Sequence, residues 1–187
     1  RIDALVGRGG MAEVYRATAM TGSLSGTTVA LKRLIPQLAK DPFYAKLFVG
    51  EAEVTKALRH PDIIQVLDAG IIGSTAFIAM EFIDGSDFGR VLAQCRKRNI
   101  QLPIDFALYV AHVVAGALHH AHIACGPTGA PLSIVHCDLT PSNVLLDRTD
   151  RVILTDFGLA LLPGRSRLTM TGDILGTPSY LAPEIVN

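Results

Sequence analysis

Hydrophobic and polar positions along the 187-residue chain fall into two parts with different periods. In the first, short β-type runs surround one helix. Val29-Ala30-Leu31-Lys32 follows a turn at Gly22 to Gly26 and reads as a strand. Asp41-Pro42 opens a helix, with the aspartate as N-cap and the proline at the first helical position. The helical pattern runs to about Arg59 and stops before Pro61. Two further apolar runs, Gln65 to Ile72 and Thr75 to Phe82, are split by Gly73-Ser74 and predict a hairpin.

The second part opens after a break at Asp84-Gly85 and is helical at first. After Pro103, the residues Phe106, Tyr109, Val110, Val113, Val114, Ala117, Leu118 and Ala121 recur at helical spacing. So broad an apolar stripe predicts a buried helix, which Gly126-Pro127 ends. Strand-like pieces follow at Asn143 to Leu146 and Arg151 to Leu154, then a loop-like segment from Gly158 to Pro183. There is no internal repeat. A small strand-rich part followed by a helix-rich part, joined near Phe82 to Gly85, predicts an α+β fold of two lobes.

Composition narrows the function classes. Lysine plus arginine is 17 and aspartate plus glutamate is 17, so a module driven by phosphate neutralisation is excluded and no nucleic-acid partner is expected. Apolar residues at 49% against charged residues at 18% exclude intrinsic disorder. A mean hydropathy of +0.36 raises the question of a membrane span. The best stretch, Phe106 to Leu118, is broken by His112, preceded by Asp105, and shorter than the ~20 residues a span needs. No membrane segment is expected in the chain. Arg1-Ile2-Asp3 is not followed by an apolar core, so no signal peptide is expected either. Cys95, Cys125 and Cys137 form no CxxC pair, which points to a reducing, cytoplasmic setting, compatible with an anchor outside this chain. His112, His119, His120 and His122 crowd one helix end without supporting ligands, so no metal site is expected there.

Candidate chemistry begins at Gly7-Arg8-Gly9-Gly10-Met11-Ala12-Glu13-Val14. Glycines after a strand let backbone N–H groups approach a phosphate, although a plain glycine turn has the same pattern. Strand-like residues rather than a helix follow, which disfavours a dinucleotide fold. Lys32 ends its strand. Glu51 shares a helix face with Phe48, Ala52 and Thr55, and a carboxylate on an apolar face needs a partner, for which Lys32 is the natural candidate. Spacing alone leaves open whether Glu51 or Glu53 faces water.

The decisive stretch is His136-Cys137-Asp138-Leu139-Thr140-Pro141-Ser142-Asn143. Asp156-Phe157-Gly158 follows, then Gly176-Thr177-Pro178-Ser179-Tyr180-Leu181-Ala182-Pro183-Glu184. An aspartate with an asparagine five positions later, and then a second aspartate before Phe-Gly, matches the protein-kinase signature. With the glycine loop, the lysine and the helix glutamate ahead of them, the motifs keep the family's order. The chain resembles the Hanks-type Ser/Thr protein kinases of bacteria along nearly its whole length.

The resemblance implies a two-lobed kinase fold, with 1–83 as a small β-rich N-lobe containing one helix and 84–187 as an incomplete helical C-lobe. It implies ATP and Mg²⁺ as cofactors and serine or threonine hydroxyls of proteins as acceptors. Val6, Gly7, Arg8, Gly9 and Gly10 would cover the ATP phosphates, and Lys32, fixed by Glu51, would hold the α- and β-phosphates. Met80 would be the gatekeeper, with the backbone of Glu81 and Ile83 on the adenine edge and Val14, Ala30 and Leu145 sandwiching the ring. Asn143 and Asp156 would be the Mg²⁺ ligands, and Asp138 the catalytic base, a role worth roughly 10²–10⁴-fold. Thr177 would contact Asp138, and Thr169 and Thr171 would be autophosphorylated.

Four departures from the family pattern carry expectations. Ala12 stands for the third glycine, and its methyl should be tolerated. Cys137 replaces the arginine that normally pairs with the activation-loop phosphate, so activity should depend weakly on loop phosphorylation. Thr140 stands where a lysine usually contacts the transferring phosphate, which should slow transfer. The family's C-lobe continues past Asn187 with further helices, so the chain alone is expected to be marginal or aggregation-prone. Two other readings compete: a pseudokinase or ATP-binding module without transfer, favoured by Cys137 and Thr140, and a small-molecule phosphotransferase of the aminoglycoside-kinase type. The Gly176 to Glu184 segment opposes the latter.

Overall fold

A computed structural model describes residues 1–126, 128–157 and 177–180, apart from the side chains of Leu47, Glu51 and Pro178. Contacts divide the chain into two compact units, Arg1–Ala57 with Ile64–Ile83, and Leu58–Ile63 with Asp84–Asn187.

The first unit is a five-stranded antiparallel sheet and a helix. Its strands are β1 (Ile2–Arg8), β2 (Ala12–Thr18), β3 (Thr28–Leu34), β4 (Val66–Ile72) and β5 (Thr75–Glu81), in the spatial order β1-β2-β3-β5-β4. Helix α1 (Pro42–Ala57) packs on β4 and β5 through Phe48 and Ala52, both buried. Its start is as the sequence predicts. Asp41 accepts the Phe43 N–H at 2.8 Å through its side chain, and Pro42 takes the first helical position. The β4–β5 hairpin turns at Gly73, whose φ of +62° suits the absent Cβ. The helix stops at Ala57, two residues before its expected end at Arg59. The reason is tertiary: Leu58–Ile63 belongs to the second unit, where the Asp62 carbonyl accepts the Leu154 N–H at 2.8 Å and Ile63 bridges to Leu154.

The second unit contains β6 (Gly85–Asp87), β7 (Val144–Asp147) and β8 (Val152–Leu154), paired antiparallel in that order, with α2 (Phe88–Lys97) and α3 (Ile104–Ile123). Short 3-10 helices cover Pro141–Asn143 and Pro178–Tyr180. At Asp84-Gly85 the sequence predicts only a break, yet Gly85 begins β6 because its backbone lies too close to Leu146 for any side chain. The sequence predicts helix after this break without bounds, and α2 is its first piece. Its start is a regular one: the Asp87 side chain accepts the Arg90 N–H at 2.8 Å and pairs with the Arg90 guanidinium at 3.1 Å. Helix α3 corrects the buried-helix expectation. Val110, Val114, Ala117 and Ala121 form a narrow buried stripe that packs against β8, whereas Leu108 and Tyr109 are exposed. The helix ends at Ile123, ahead of Gly126. By length and composition alone α3 could cross a bilayer. Its buried stripe and the hydrogen bond from the Tyr109 hydroxyl to the Asp150 carbonyl at 3.2 Å are features of a helix built into a domain. The core of this unit gathers Ile134, Ile153, Leu154 and Phe157.

Candidate active site

In the first unit, strand register assembles a row of candidate residues. Val14 faces Lys32 across β2 and β3, Ala30 faces Met80 across β3 and β5, and Lys32 faces Ile78. Positions 30 and 32 lie two apart on β3 and so share a face. Val14, Ala30, Lys32 and Met80 therefore line one side of the sheet. The Lys32 ammonium lies 5.7 Å from the centroid of the Phe48 ring on α1, a cation–π distance. Glu51 follows one turn later on α1, and its side chain lies outside the described residues. The Gly7 to Gly10 turn joins β1 to β2 and is closed by the Gly9 N–H donating to the Ala12 carbonyl at 2.8 Å. At Gly7 and Gly10 an added Cβ would meet nothing within 4 Å, so the backbone there is open to a ligand. Glu81 faces Val29 across β5 and β3 and donates its N–H to the Gln65 carbonyl at 3.0 Å. Ile83 is half-buried at the end of this unit, and Val6 is exposed near the end of β1.

In the second unit, the loop before β7 holds Asp138 in a fixed orientation. Asn143 Nδ2 donates to the Asp138 carbonyl at 2.8 Å and to its Oδ2 at 3.1 Å. Thr177 donates to Asp138 Oδ1 twice, from its backbone N–H at 3.0 Å and its hydroxyl at 2.8 Å. An ionised carboxylate offers about four acceptor sites. Among the described residues, three donors reach its oxygens. A cavity of about 280 Å³ opens there, walled by Leu92, Ala93 and Arg96 of α2 and by Ser142 and Tyr180.

His136 ties this loop to the next. It is 3% exposed, and its Nδ1 accepts the Asp138 N–H at 3.3 Å while Nε2 faces the Thr155 carbonyl at 2.9 Å. One nitrogen accepts and the other must donate, which defines a neutral imidazole with its hydrogen on Nε2. Burial, the largest influence, pushes its pKa below the ordinary value, against the upward pull of the Thr155 carbonyl and of Asp156 and Asp138. The ring also lies against Phe157, at 4.6 Å between centroids.

Asn143 and Asp156 lie at the same end of the β7–β8 ladder. Val144 pairs with Leu154, and the Asn143 carbonyl accepts the Thr155 N–H at 2.9 Å, so the two residues flank paired positions. With Nδ2 committed to Asp138, the Asn143 side chain keeps its oxygen as the remaining donor to a cation. Asp156 and Cys137 both adopt left-handed backbone, at φ of 61° and 67°. Leu145, next on β7, is half-buried. Thr140 is buried at 7% exposure. Thr169 and Thr171, Gly176 and the Ala182-Pro183-Glu184 motif lie outside the described residues.

The sequence left His136 without a role, though a histidine two residues before the candidate aspartate, in an otherwise apolar run, is a signal of a buried hydrogen-bonding ring. It also gave α2 no bounds and missed its Arg96, although the Asp87 N-cap signals the start of that helix.

Comparison with known proteins agrees with the geometry. A family model described as "Protein kinase domain" matches residues 1–187. The chain is 34% identical over 94% of its length to the tyrosine-protein kinase MasK of Myxococcus xanthus. It is 36% identical over its whole length to the serine/threonine-protein kinase PknJ of Mycobacterium tuberculosis. It spans only 27% and 30% of those two proteins. Among solved structures, it is similar to the PknI kinase domain of M. tuberculosis, with a TM-score of 0.66 and 33% identity over 84% of this chain and 57% of that one.

Proposed function

The chain belongs to the protein kinase domain family, and from that premise we propose that it transfers the γ-phosphate of Mg-ATP to serine and threonine hydroxyls of proteins. The observation that carries this reading is the environment of Asp138: a carboxylate held by Asn143 and by Thr177 in the wall of a cavity.

The roles follow from the chemistry of each group. The Asp138 carboxylate takes the proton of the acceptor hydroxyl as its oxygen bonds to the γ-phosphorus and the bond from that phosphorus to the β,γ-bridging oxygen breaks, releasing ADP. Thr177 and Asn143 orient that carboxylate, so no reorganisation is needed when the hydroxyl arrives. In the first unit, the amides of Gly7, Gly9 and Gly10 meet phosphate oxygens, with Val6 and Arg8 flanking them. Lys32 neutralises phosphate charge, with Glu51 as its proposed partner. Val14, Ala30 and Met80, on the face that carries Lys32, contact adenine, and the backbone of Glu81 and Ile83 reads its edge.

The donor set fits the metal this family uses. The Asn143 amide oxygen and the Asp156 carboxylate are hard oxygen ligands at one end of a strand pair, the kind Mg²⁺ accepts. When bound, the ion neutralises charge on the phosphates. Protein substrates are the proposed partners, with autophosphorylation at Thr169 and Thr171. The described cysteines form no disulfide, which supports a cytoplasmic setting.

MasK is named a tyrosine kinase, so the acceptor class is the finer question. The test is intact mass and phosphoamino-acid analysis of the full-length protein after incubation with Mg-ATP, beside Asp138→Asn. Phosphoserine or phosphothreonine in the wild type alone is expected. Phosphotyrosine alone would overturn the acceptor class, and no transfer by the wild type would overturn the activity.

A further inference from the structure

A charged network in the first unit, Arg8 apart, lies outside the roles assigned above. Glu13, on β2, is 7% exposed. Arg8 Nη2 lies 2.6 Å from its Oε1, and Arg33 Nη2 lies 3.1 Å from its Oε2. The Tyr15 hydroxyl donates to the same Oε2 at 2.6 Å. Arg33 also donates to the Tyr15 hydroxyl at 3.1 Å, with its guanidinium carbon 5.1 Å from the ring centroid. The Tyr15 hydrogen bond, then that of Arg33, holds the Glu13 carboxyl below its ordinary pKa.

Strand register explains the row. Arg8 faces Glu13 across β1 and β2, and Glu13 faces Arg33 across β2 and β3. Tyr15 lies two residues along β2 and shares their face. Successive strand residues alternate, so the row occupies the face opposite Val14 and Lys32. Its ends nevertheless adjoin the phosphate-binding groups. Arg8 is the last residue of β1 and immediately precedes Gly9, and Arg33 immediately follows Lys32.

We propose that Glu13 is a positioning residue for the nucleotide phosphates. Its carboxylate ties the base of the glycine turn to the strand of Lys32, so the turn amides and the lysine ammonium keep a fixed spacing from behind. Arg8 acts here on the turn, its charge spent on Glu13. This inference rests on the ATP-dependent reading given above. Neutralising Glu13 leaves two arginines on one row without their shared anion, and the turn loses its anchor.

The test uses the full-length protein with Glu13→Gln, which keeps the shape of the side chain, and Arg33→Met, which breaks the row from β3. Kd for Mg-ATP and for adenosine is measured by calorimetric titration, with KM for ATP and for a protein acceptor alongside. The expected result is a rise of about tenfold in Kd and KM for Mg-ATP in both variants. Adenosine, which lacks phosphates, should bind as before, and the acceptor KM should not move. Unchanged Mg-ATP affinity with only a lower melting temperature would make the row structural and overturn the proposal. Equal weakening of adenosine and Mg-ATP would overturn it as well. Wild type that binds Mg-ATP but transfers no phosphate would sink the kinase reading and leave the Glu13 comparison readable from Kd. Wild type that binds no Mg-ATP would overturn both.

Discussion

Thr177 gives both of its hydrogen-bond donors to one oxygen of Asp138, across 39 residues of chain. The hydroxyl half of that clamp can be removed without changing volume. Thr177→Val should lower kcat by about 10- to 100-fold, the worth of a hydrogen bond to a charged group, and leave the Kd for Mg-ATP unchanged. Thr177→Ser should stay close to wild type. Steady-state kinetics beside calorimetric titration checks this, and equal losses in kcat and nucleotide affinity would contradict it.

Asn143 has two separable jobs. Its Nδ2 restrains Asp138, and its oxygen is the proposed cation ligand. Asn143→Asp keeps an oxygen ligand, removes the donor, and sets a second carboxylate against Asp138. The expected outcome is a loss of more than about 100-fold in kcat that raising Mg²⁺ does not reverse. Recovery at high Mg²⁺ would show that the ligand role alone matters.

Cys137 precedes Asp138 where the resembled family has a phosphate-binding arginine. Its thiol donates to the Val135 carbonyl at 3.2 Å. Loop phosphate therefore lacks that cationic partner, and a Thr169→Ala/Thr171→Ala double variant should keep activity within a few-fold of wild type. Phosphate incorporation into a protein acceptor, measured over time, checks this.

The neutral His136 ring makes stability depend on pH. Its folded pKa lies below the ordinary 6.5, chiefly through burial. Below about pH 6.5 the unfolded chain takes up a proton that the folded chain does not. Stability should therefore fall as the pH drops below about 6.5, with a slope of at most about 1.4 kcal/mol per pH unit from this group. The fall levels off once the pH passes the lower folded value. Above pH 6.5 both states are neutral and the group contributes no slope. Denaturant titrations at several pH values, wild type against His136→Gln, isolate the contribution, and parallel curves for the two proteins would refute it.

Two glycines make a paired prediction about backbone room. A Cβ on Gly85 would overlap the Leu146 carbonyl oxygen, so Gly85→Ala must part β6 from β7. It should cost roughly 1–3 kcal/mol, as other overpacking changes do. On α3, a Cβ on Gly116 would meet nothing within 4 Å, and Gly116→Ala should stabilise by about 0.5–1 kcal/mol. Chemical denaturation midpoints read both.

The candidate site was legible wherever its residues are contiguous or sit at short fixed intervals. Asp138 and Asn143 declare themselves because one loop sets them five positions apart, and Asp156 because it directly precedes Phe157-Gly158. The cap at Asp41 was legible for the same reason, since its hydrogen bond spans two residues. What depends on distant chain was less so. The end of α1 is decided by Leu154, far along the sequence, and the buried width of α3 by what β8 can cover. The bounds of α2 were hidden by charges and Gly89, whose missing Cβ makes room for the Ser142 hydroxyl. The Glu13 row needs a register, which no single strand reveals.

His136 makes backbone contacts at both ends of one ring, to the N–H of Asp138 and the carbonyl of Thr155. A ring cannot lengthen. If the loop carrying Asp138 opens, the imidazole must leave the Thr155 carbonyl or follow the loop out of the core. The segment with the proposed base and the one leading to the proposed metal ligand thus form a single cooperative opening unit. In amide exchange, the protons of Asp138 and Thr155 should open together and share one free energy, so neither half of the chemistry can loosen alone.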